Sequence, residues 1–290
     1  MQFKTITIIG IGLIGGSIAH DLKEKKLVNK IIGIDTQSEN LRIAKQKKII
    51  DIALSSINQV SLDVDIVIIA TPVSMIFEVL QLIGQFQLKP NTIITDVAST
   101  KRSVLEAYQY YLPDHYSYCV AAHPVAGCEK SGVNNIIPYL FNQQKIIICP
   151  HELQNAQSIQ TIKRLWELLE SQIYIMPAEV HDQIFAMTSH FPHILAYAFM
   201  NQLNNDVFKE KYLNFAGTGF RDFTRIAGSD SEMWSGICVE NQDFLLLLLE
   251  HYFSELEVIK NLLESKDKDQ LKSYFSTSQQ LRQVWENNKI

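Results

Sequence analysis

The stretch Thr5-Ile6-Thr7-Ile8-Ile9-Gly10-Ile11-Gly12-Leu13-Ile14-Gly15-Gly16-Ser17-Ile18-Ala19 decides the fold. A β-branched run ends in glycine and passes at once into helix-forming sequence. A G-x-G-x-x-G spacing means little alone; between a strand and a helix it describes a dinucleotide-binding turn. Gly10 allows the tight turn, Gly12 lets the backbone approach a pyrophosphate, and Gly15 lets the helix pack closely on the strand. The first helical residues, Leu13 and Ile14, then offer free N–H groups to phosphate oxygens. Twenty residues beyond Gly15, at the end of the next β-branched run, stands Asp35. Its carboxylate can accept from both hydroxyls of an adenosine ribose and would repel a 2′-phosphate. Thr36 and Gln37 bring no cation to offset that repulsion. The expected cofactor is therefore NAD rather than NADP. The competing reading is a plain turn, with Asp35 capping the following helix.

Further β-branched runs follow at Ile31–Ile34, Ile66–Ile69, Ile93–Thr95, Tyr118–Ala121, Ile146–Ile148 and Ile173–Ile175. Near-continuous Ile/Val runs suit strands buried on both faces of a parallel sheet. Helical patterns lie between several of them, at Leu13–Lys25, Val73–Gln85 and Leu153–Leu169. This alternation predicts a doubly wound, Rossmann-type α/β domain over residues 1–177. After Pro177 the runs stop. His181–Asn201, Ser235–Leu263 and Asp267–Asn287 read as helices, which predicts an all-α domain over residues 178–290. Leu245–Leu249 is apolar on every side, so that helix is expected to be buried all round, against a partner subunit.

The bulk numbers bound the function. At 290 residues, about two domains are expected. A net charge of −5 argues against a chain that works by gripping nucleic acid. Apolar runs such as Phe244–Leu249 fall far short of the roughly 18 residues a membrane span needs. The N-terminus enters a strand pattern directly, with no basic-then-apolar leader, and the four cysteines form no C-x-x-C pair. These features predict a soluble, cytoplasmic protein with reduced thiols.

Ligands of open α/β sheets bind beyond the carboxyl ends of the strands. Three such ends carry polar clusters: Ala70-Thr71-Pro72-Val73, Asp96-Val97-Ala98-Ser99-Thr100-Lys101, and His123-Pro124-Val125-Ala126-Gly127-Cys128-Glu129-Lys130-Ser131-Gly132. His123 is the first polar side chain after a buried strand, a suitable place for a general base. The α region adds His181-Asp182 and Thr188-Ser189-His190-Phe191-Pro192-His193. His190 and His193 share a helix face, and Pro192 should begin or kink that helix. With no third ligand nearby, H-x-x-H predicts no metal site. Arg221 and Arg225, beside Gly217-Thr218-Gly219, suit a dicarboxylate, because guanidinium pairs with carboxylate as a bidentate fork.

Taken together, these segments resemble the prephenate dehydrogenase family, which includes arogenate and cyclohexadienyl dehydrogenases. The resemblance rests on Gly10–Ser17 (GIGLIGGS), Asp96–Lys101 (DVASTK), His123–Gly132 (HPVAGCEKSG), His181–His193 (HDQIFAMTSHFPH), and Asp222–Ala227 (DFTRIA) with Met233-Trp234. Five motifs in order are far more specific than one. The resemblance implies NAD-dependent oxidative decarboxylation of prephenate to 4-hydroxyphenylpyruvate, the precursor of tyrosine, or the same reaction on arogenate. It implies His123 as base and Ser99 as its partner at the reacting hydroxyl. Thr71 and Pro72, with the glycine turn, would line the cofactor. Arg225 would bind a substrate carboxylate, with His190 and His193 lining the pocket and Glu129 and Arg221 as gate or specificity residues. It also implies a homodimer built through the α domain. Threonine is common in that family where Cys128 stands, and lysine where Arg221 stands. No fused chorismate mutase or ACT domain is recognisable, so a monofunctional enzyme is expected. A β-hydroxyacid dehydrogenase shares the architecture, but its catalytic lysine has no counterpart before Lys209. A non-catalytic NAD sensor would need the turn without the histidine and arginine clusters.

Overall fold

A computed structural model of the chain describes residues 2–59, 64–127 and 132–287. Glu129 and Cys128 therefore lie outside the described residues. Two compact units are present, residues 1–242 and 243–290.

The first unit opens with β1 (Phe3–Ile9), α1 (Leu13–Glu24), β2 (Val28–Ile34), α2 (Ser38–Gln46) and β3 (Ile52–Leu54). It continues through β4 (Ile66–Ile69), α3 (Ile76–Ile83), β5 (Ile93–Asp96), α4 (Arg102–Tyr111) and β6 (Cys119–Pro124). β7 (Lys145–Cys149), α5 (Ala156–Leu168) and β8 (Gln172–Ile175) complete one eight-stranded sheet in the order β3-β2-β1-β4-β5-β6-β7-β8. Strand order reverses at β1/β4, where such sheets take their ligands. The apolar runs are continuous because alternate residues feed opposite faces. Ile66 and Ile68 enter one core, while Val67 and Ile69 enter the other. All four are fully buried, each worth about 1.5–3 kcal/mol of burial.

The pairing is parallel except between β6 and β7. Among the described residues the connection between them holds only one short helical turn, Val133–Asn135, instead of a crossover helix, and β7 runs back antiparallel. A crossover helix is what returns a chain to the starting edge for parallel pairing. Period-two hydrophobicity cannot register that reversal. The α5 start is fixed by Asn155, whose Oδ1 accepts from Ser158 N at 3.0 Å.

The rest of this unit is helical: α6 (Ala178–Phe185), α7 (Phe191–Asn204), α8 (Lys209–Asn214), α9 (Thr218–Thr224) and α10 (Ser231–Glu240). The single helix expected over His181–Asn201 carries a π turn at Ala186–His190, where Phe191 N bonds Ala186 O. Pro192, just beyond, has no N–H to continue the regular ladder, which favours a wide turn there. The second unit holds α11 (Gln242–Ser265) from its second residue onward, and α12 (Lys268–Asn287). The helix expected over Ser235–Leu263 is thus divided at Asn241. Within the single chain Leu245 is buried, and Leu246 and Leu247 are 58% and 49% exposed. Two helices of one chain cannot cover every face of an apolar segment. Among the described residues no helix is long and apolar enough to cross a membrane.

Candidate active site

The glycine turn behaves as its spacing predicts. Gly10 has φ +93°, and a Cβ there would lie 2.6 Å from Ala70 O. A Cβ on Gly15 would lie 2.0 Å from Gly10 O. Gly12 differs: nothing stands within 4 Å of its Cβ position, so the turn is open where a pyrophosphate would approach. Gly12 is the N-cap of α1 and supplies no side-chain cap, leaving the first N–H groups, including those of Leu13 and Ile14, to an external acceptor. Asp35 Oδ2 accepts from Ile11 N at 2.8 Å, fixing the carboxylate beside the turn. Its Oδ1 accepts from Gln37 N at 2.7 Å, so it also steadies the approach to α2. Thr71 follows β4, and its hydroxyl is buried without a hydrogen-bond partner. Pro72, next to it, is exposed. An open cradle, uncapped N–H groups, an acidic residue at the second strand end and an orphaned hydroxyl all fit a dinucleotide.

His123 lies on β6, opposite Ile147 of β7, and is 8% exposed. Its Nδ1 is 2.8 Å from His181 Nε2. His181 Nδ1 in turn is 2.7 Å from Asp182 Oδ1. Phe185 packs edge-on against His123 and closes on His181, with centroids 4.8 and 4.5 Å away. Burial, then the nearby His181, Lys101 and His190, hold His123 well below the ordinary histidine pKa. Burial likewise lowers His181, against the pull of Asp182. Asp182 is raised by burial, but bonds from His181, Arg102 and Lys101 outweigh this and hold it low.

Asp182 binds the structure together. Its Oδ1 accepts from Lys101 N at 2.8 Å, and its Oδ2 accepts from Arg102 N at 3.0 Å and Arg102 Nε at 3.2 Å. The side chain of Asn241, fully buried at the end of α10, accepts from Arg102 at 3.0 Å and donates to Asp182 O at 2.9 Å. Its Nδ2 also lies 3.1 Å from His190 Nδ1. Burial pushes His190 down to about 4. His193 stacks on Trp234 at 3.5 Å and donates from Nδ1 to Ser189 O at 2.8 Å.

A second buried network supports the strand that carries His123. Asp96, the last residue of β5, meets Lys101, and neither side chain is exposed. Lys101 Nζ also donates to Ala122 O at 2.7 Å, while Ala122 N donates to Asp96 Oδ1 at 3.3 Å. Tyr108 OH donates to the same Oδ1 at 3.2 Å. The ion pair thus grips both polar atoms of the residue before His123.

The sequence-predicted residues fall into three groups. His123 and His190 share the Asp182 network. Ser99 sits half-buried in the β5–α4 loop, two residues before Lys101. Arg221 and Arg225 are exposed, on α9 and on the short turn after it. Sequence reading gave no role to Asp96, Lys101, Arg102, His181, Asp182 or Asn241. The first five lie in or beside quoted motifs, where polar residues after a buried strand were a usable signal. Asn241 carried none. Among the described residues no group of three or more His, Cys, Asp or Glu could hold a metal.

A doubly wound sheet with this glycine turn, and a buried histidine at the carboxyl end of a neighbouring strand, define a nicotinamide-dependent dehydrogenase. Two family models match: prephenate dehydrogenase, nucleotide-binding domain, over residues 18–175, and prephenate dehydrogenase, dimerization domain, over residues 177–277. The chain belongs to the prephenate dehydrogenase family. It is 34% identical over 279 residues to a prephenate dehydrogenase of Bacillus subtilis, covering 96% of this chain and 75% of the relative. It is 33% identical over 283 residues to a cyclohexadienyl dehydrogenase of Zymomonas mobilis, covering 97% and 95%. The crystal structure of Aquifex aeolicus prephenate dehydrogenase in complex with hydroxyphenyl propionate and NAD+ superposes with a TM-score of 0.91 at 30% identity, covering 98% and 99%.

Proposed function

We propose that this enzyme converts prephenate, with NAD, to 4-hydroxyphenylpyruvate and carbon dioxide, within tyrosine biosynthesis. Arogenate, or both substrates, is the alternative. The observation that carries the reading is His123: a buried, neutral imidazole at the carboxyl end of β6, in the same sheet as the glycine turn. NAD, when bound, supplies the hydride acceptor. Gly10, Gly12, Gly15, Leu13, Ile14, Asp35, Thr71 and Pro72 hold it. His123 takes the proton of the ring hydroxyl as its carbon gives up hydride. The ring carboxylate then leaves as carbon dioxide, and its bonding electrons complete the aromatic ring. Ser99 holds the same hydroxyl or orients His123.

Arg225 pairs with a substrate carboxylate, while His190 and His193 line the pocket and Glu129 and Arg221 set its entrance or specificity. Residues 1–177 form the nucleotide-binding domain and residues 178–290 the substrate and dimerisation domain of a cytoplasmic homodimer. The two family matches, which meet at 175 and 177, support that division.

The test follows NADH or NADPH production with prephenate and arogenate, each with NAD and NADP. Turnover of prephenate with NAD is expected. No turnover of either substrate removes the proposal, and equal use of NADP removes the role given to Asp35.

A further inference from the structure

We propose that the Arg102–Asp182 pair sets opposite tautomers on two active-site histidines, making His123 a hydrogen-bond acceptor and His190 a donor. This rests on the reading of His123 as the base and adds four positioning residues: Asp182, His181, Arg102 and Asn241.

The first relay starts at Asp182. An ionised carboxylate only accepts hydrogen bonds. His181 Nδ1, 2.7 Å from Asp182 Oδ1, must therefore carry its proton. A neutral imidazole has one N–H, so His181 Nε2 is left as an acceptor. His123 Nδ1, 2.8 Å away, must then be the donor. That leaves His123 Nε2 with its lone pair free, the form a general base needs. The charged and titratable groups facing this pair are Asp182, Lys101, Asp96 and His190.

The second relay starts at Arg102. A guanidinium only donates, so the atom of Asn241 at 3.0 Å from it is the amide oxygen. A backbone carbonyl only accepts, so the atom 2.9 Å from Asp182 O is the amide nitrogen. The two neighbours fix the orientation of the amide without ambiguity. Its NH2 therefore faces His190 Nδ1 at 3.1 Å, and that nitrogen must accept. His190 is left with its proton on Nε2, as a neutral donor suited to a substrate oxygen.

Asp182→Asn probes the first relay. Both carboxylate oxygens now accept from protein donors. An amide must turn its NH2 toward one set, and the charged Arg102 side repels it more. The NH2 then faces His181 Nδ1, and the protons shift to His181 Nε2 and His123 Nε2. Asn241→Asp probes the second relay by presenting an acceptor to His190 Nδ1.

The decisive measurement is two-bond proton–nitrogen correlation on the whole protein labelled with 15N-histidine, each ring assigned by a single His→Gln variant. Nδ1–H forms are expected for His123 and His181, and an Nε2–H form for His190. An Nε2–H form at His123, or an Nδ1–H form at His190, overturns the proposal. Asp182→Asn should lower kcat by about 10²–10⁴-fold with an unchanged dissociation constant for NAD. Asn241→Asp should instead raise the substrate KM at least tenfold with kcat within a few-fold. Unaltered kcat in a folded Asp182→Asn protein overturns the first relay. The wild-type spectrum decides the tautomers even if a variant does not fold. It decides them also if wild-type enzyme turns over neither substrate, which would be a failure of the proposed function alone.

Discussion

The ammonium of Lys101 and the carboxylate of Asp96 meet with neither side chain exposed to solvent, directly beneath the strand residue that precedes His123. Lys101→Met would leave Asp96 buried with only Tyr108 OH and the amides of Ala98 and Ala122 as donors. Removing one partner of a buried pair costs about 3–5 kcal/mol, because the other charge stays uncompensated. Urea unfolding should show a loss of that size. A midpoint equal to wild type would mean that the pair does not hold β5 to β6.

Gly12 and Gly15 should separate binding from folding. Gly12→Ala places a methyl group in open space at an ordinary φ of −86°, so Tm should move by a few degrees at most. The same methyl occupies the pyrophosphate's approach, so NAD affinity should fall at least tenfold, about 1.4 kcal/mol. Gly15→Ala, with a Cβ 2.0 Å from Gly10 O, should lose stability as well. Isothermal titration beside thermal melts distinguishes the two. Wild-type NAD affinity in Gly12→Ala would place the pyrophosphate elsewhere.

Stability should fall on acidification. Burial is the main reason His190 is lowered from the usual 6.5 to about 4, and it lowers His123 and His181 too. The unfolded chain takes up a proton at each site near pH 6.5, while the folded protein resists until much lower pH. Folding stability is therefore full above about 6.5 and is lost as pH falls toward 4. The His190 contribution is roughly 3 kcal/mol. Unfolding free energies at pH 7, 5.5 and 4 should decline less steeply in His190→Gln. Identical slopes in both proteins would show that His190 is not held neutral.

His123→Asn should lower kcat by about 10²–10⁴-fold while leaving NAD binding intact. Arg225→Gln should act on the other constant, raising KM for the dicarboxylate substrate by tenfold or more through loss of a bidentate pair. Steady-state kinetics and NAD titration on the two variants separate the roles. Normal turnover without His123 would remove it as base, and an unchanged KM would remove the carboxylate role of Arg225.

Local chemistry wrote much of this protein into its sequence. The glycine turn was legible because strand sterics, a positive φ and close helix packing each demand glycine at a fixed offset. The sheet was legible because fully buried strands must be apolar on both faces. Even His123 announced itself as the first polar residue after such a strand. The direction of β7 could not be read, since a strand's hydrophobic pattern is the same in either direction. The placing of Lys101 under Ala122 and of Asn241 between Arg102 and His190 also lay beyond the sequence. These contacts join residues 21 to 139 positions apart, and no local pattern encodes them. The sequence by itself determined a dinucleotide fold with a histidine at the carboxyl end of one of its strands. Only the tertiary structure decided which nitrogen of that histidine is free to take a proton, because its partner His181 comes from α6 and is held by Asp182 and Arg102, which meet only when the chain is folded.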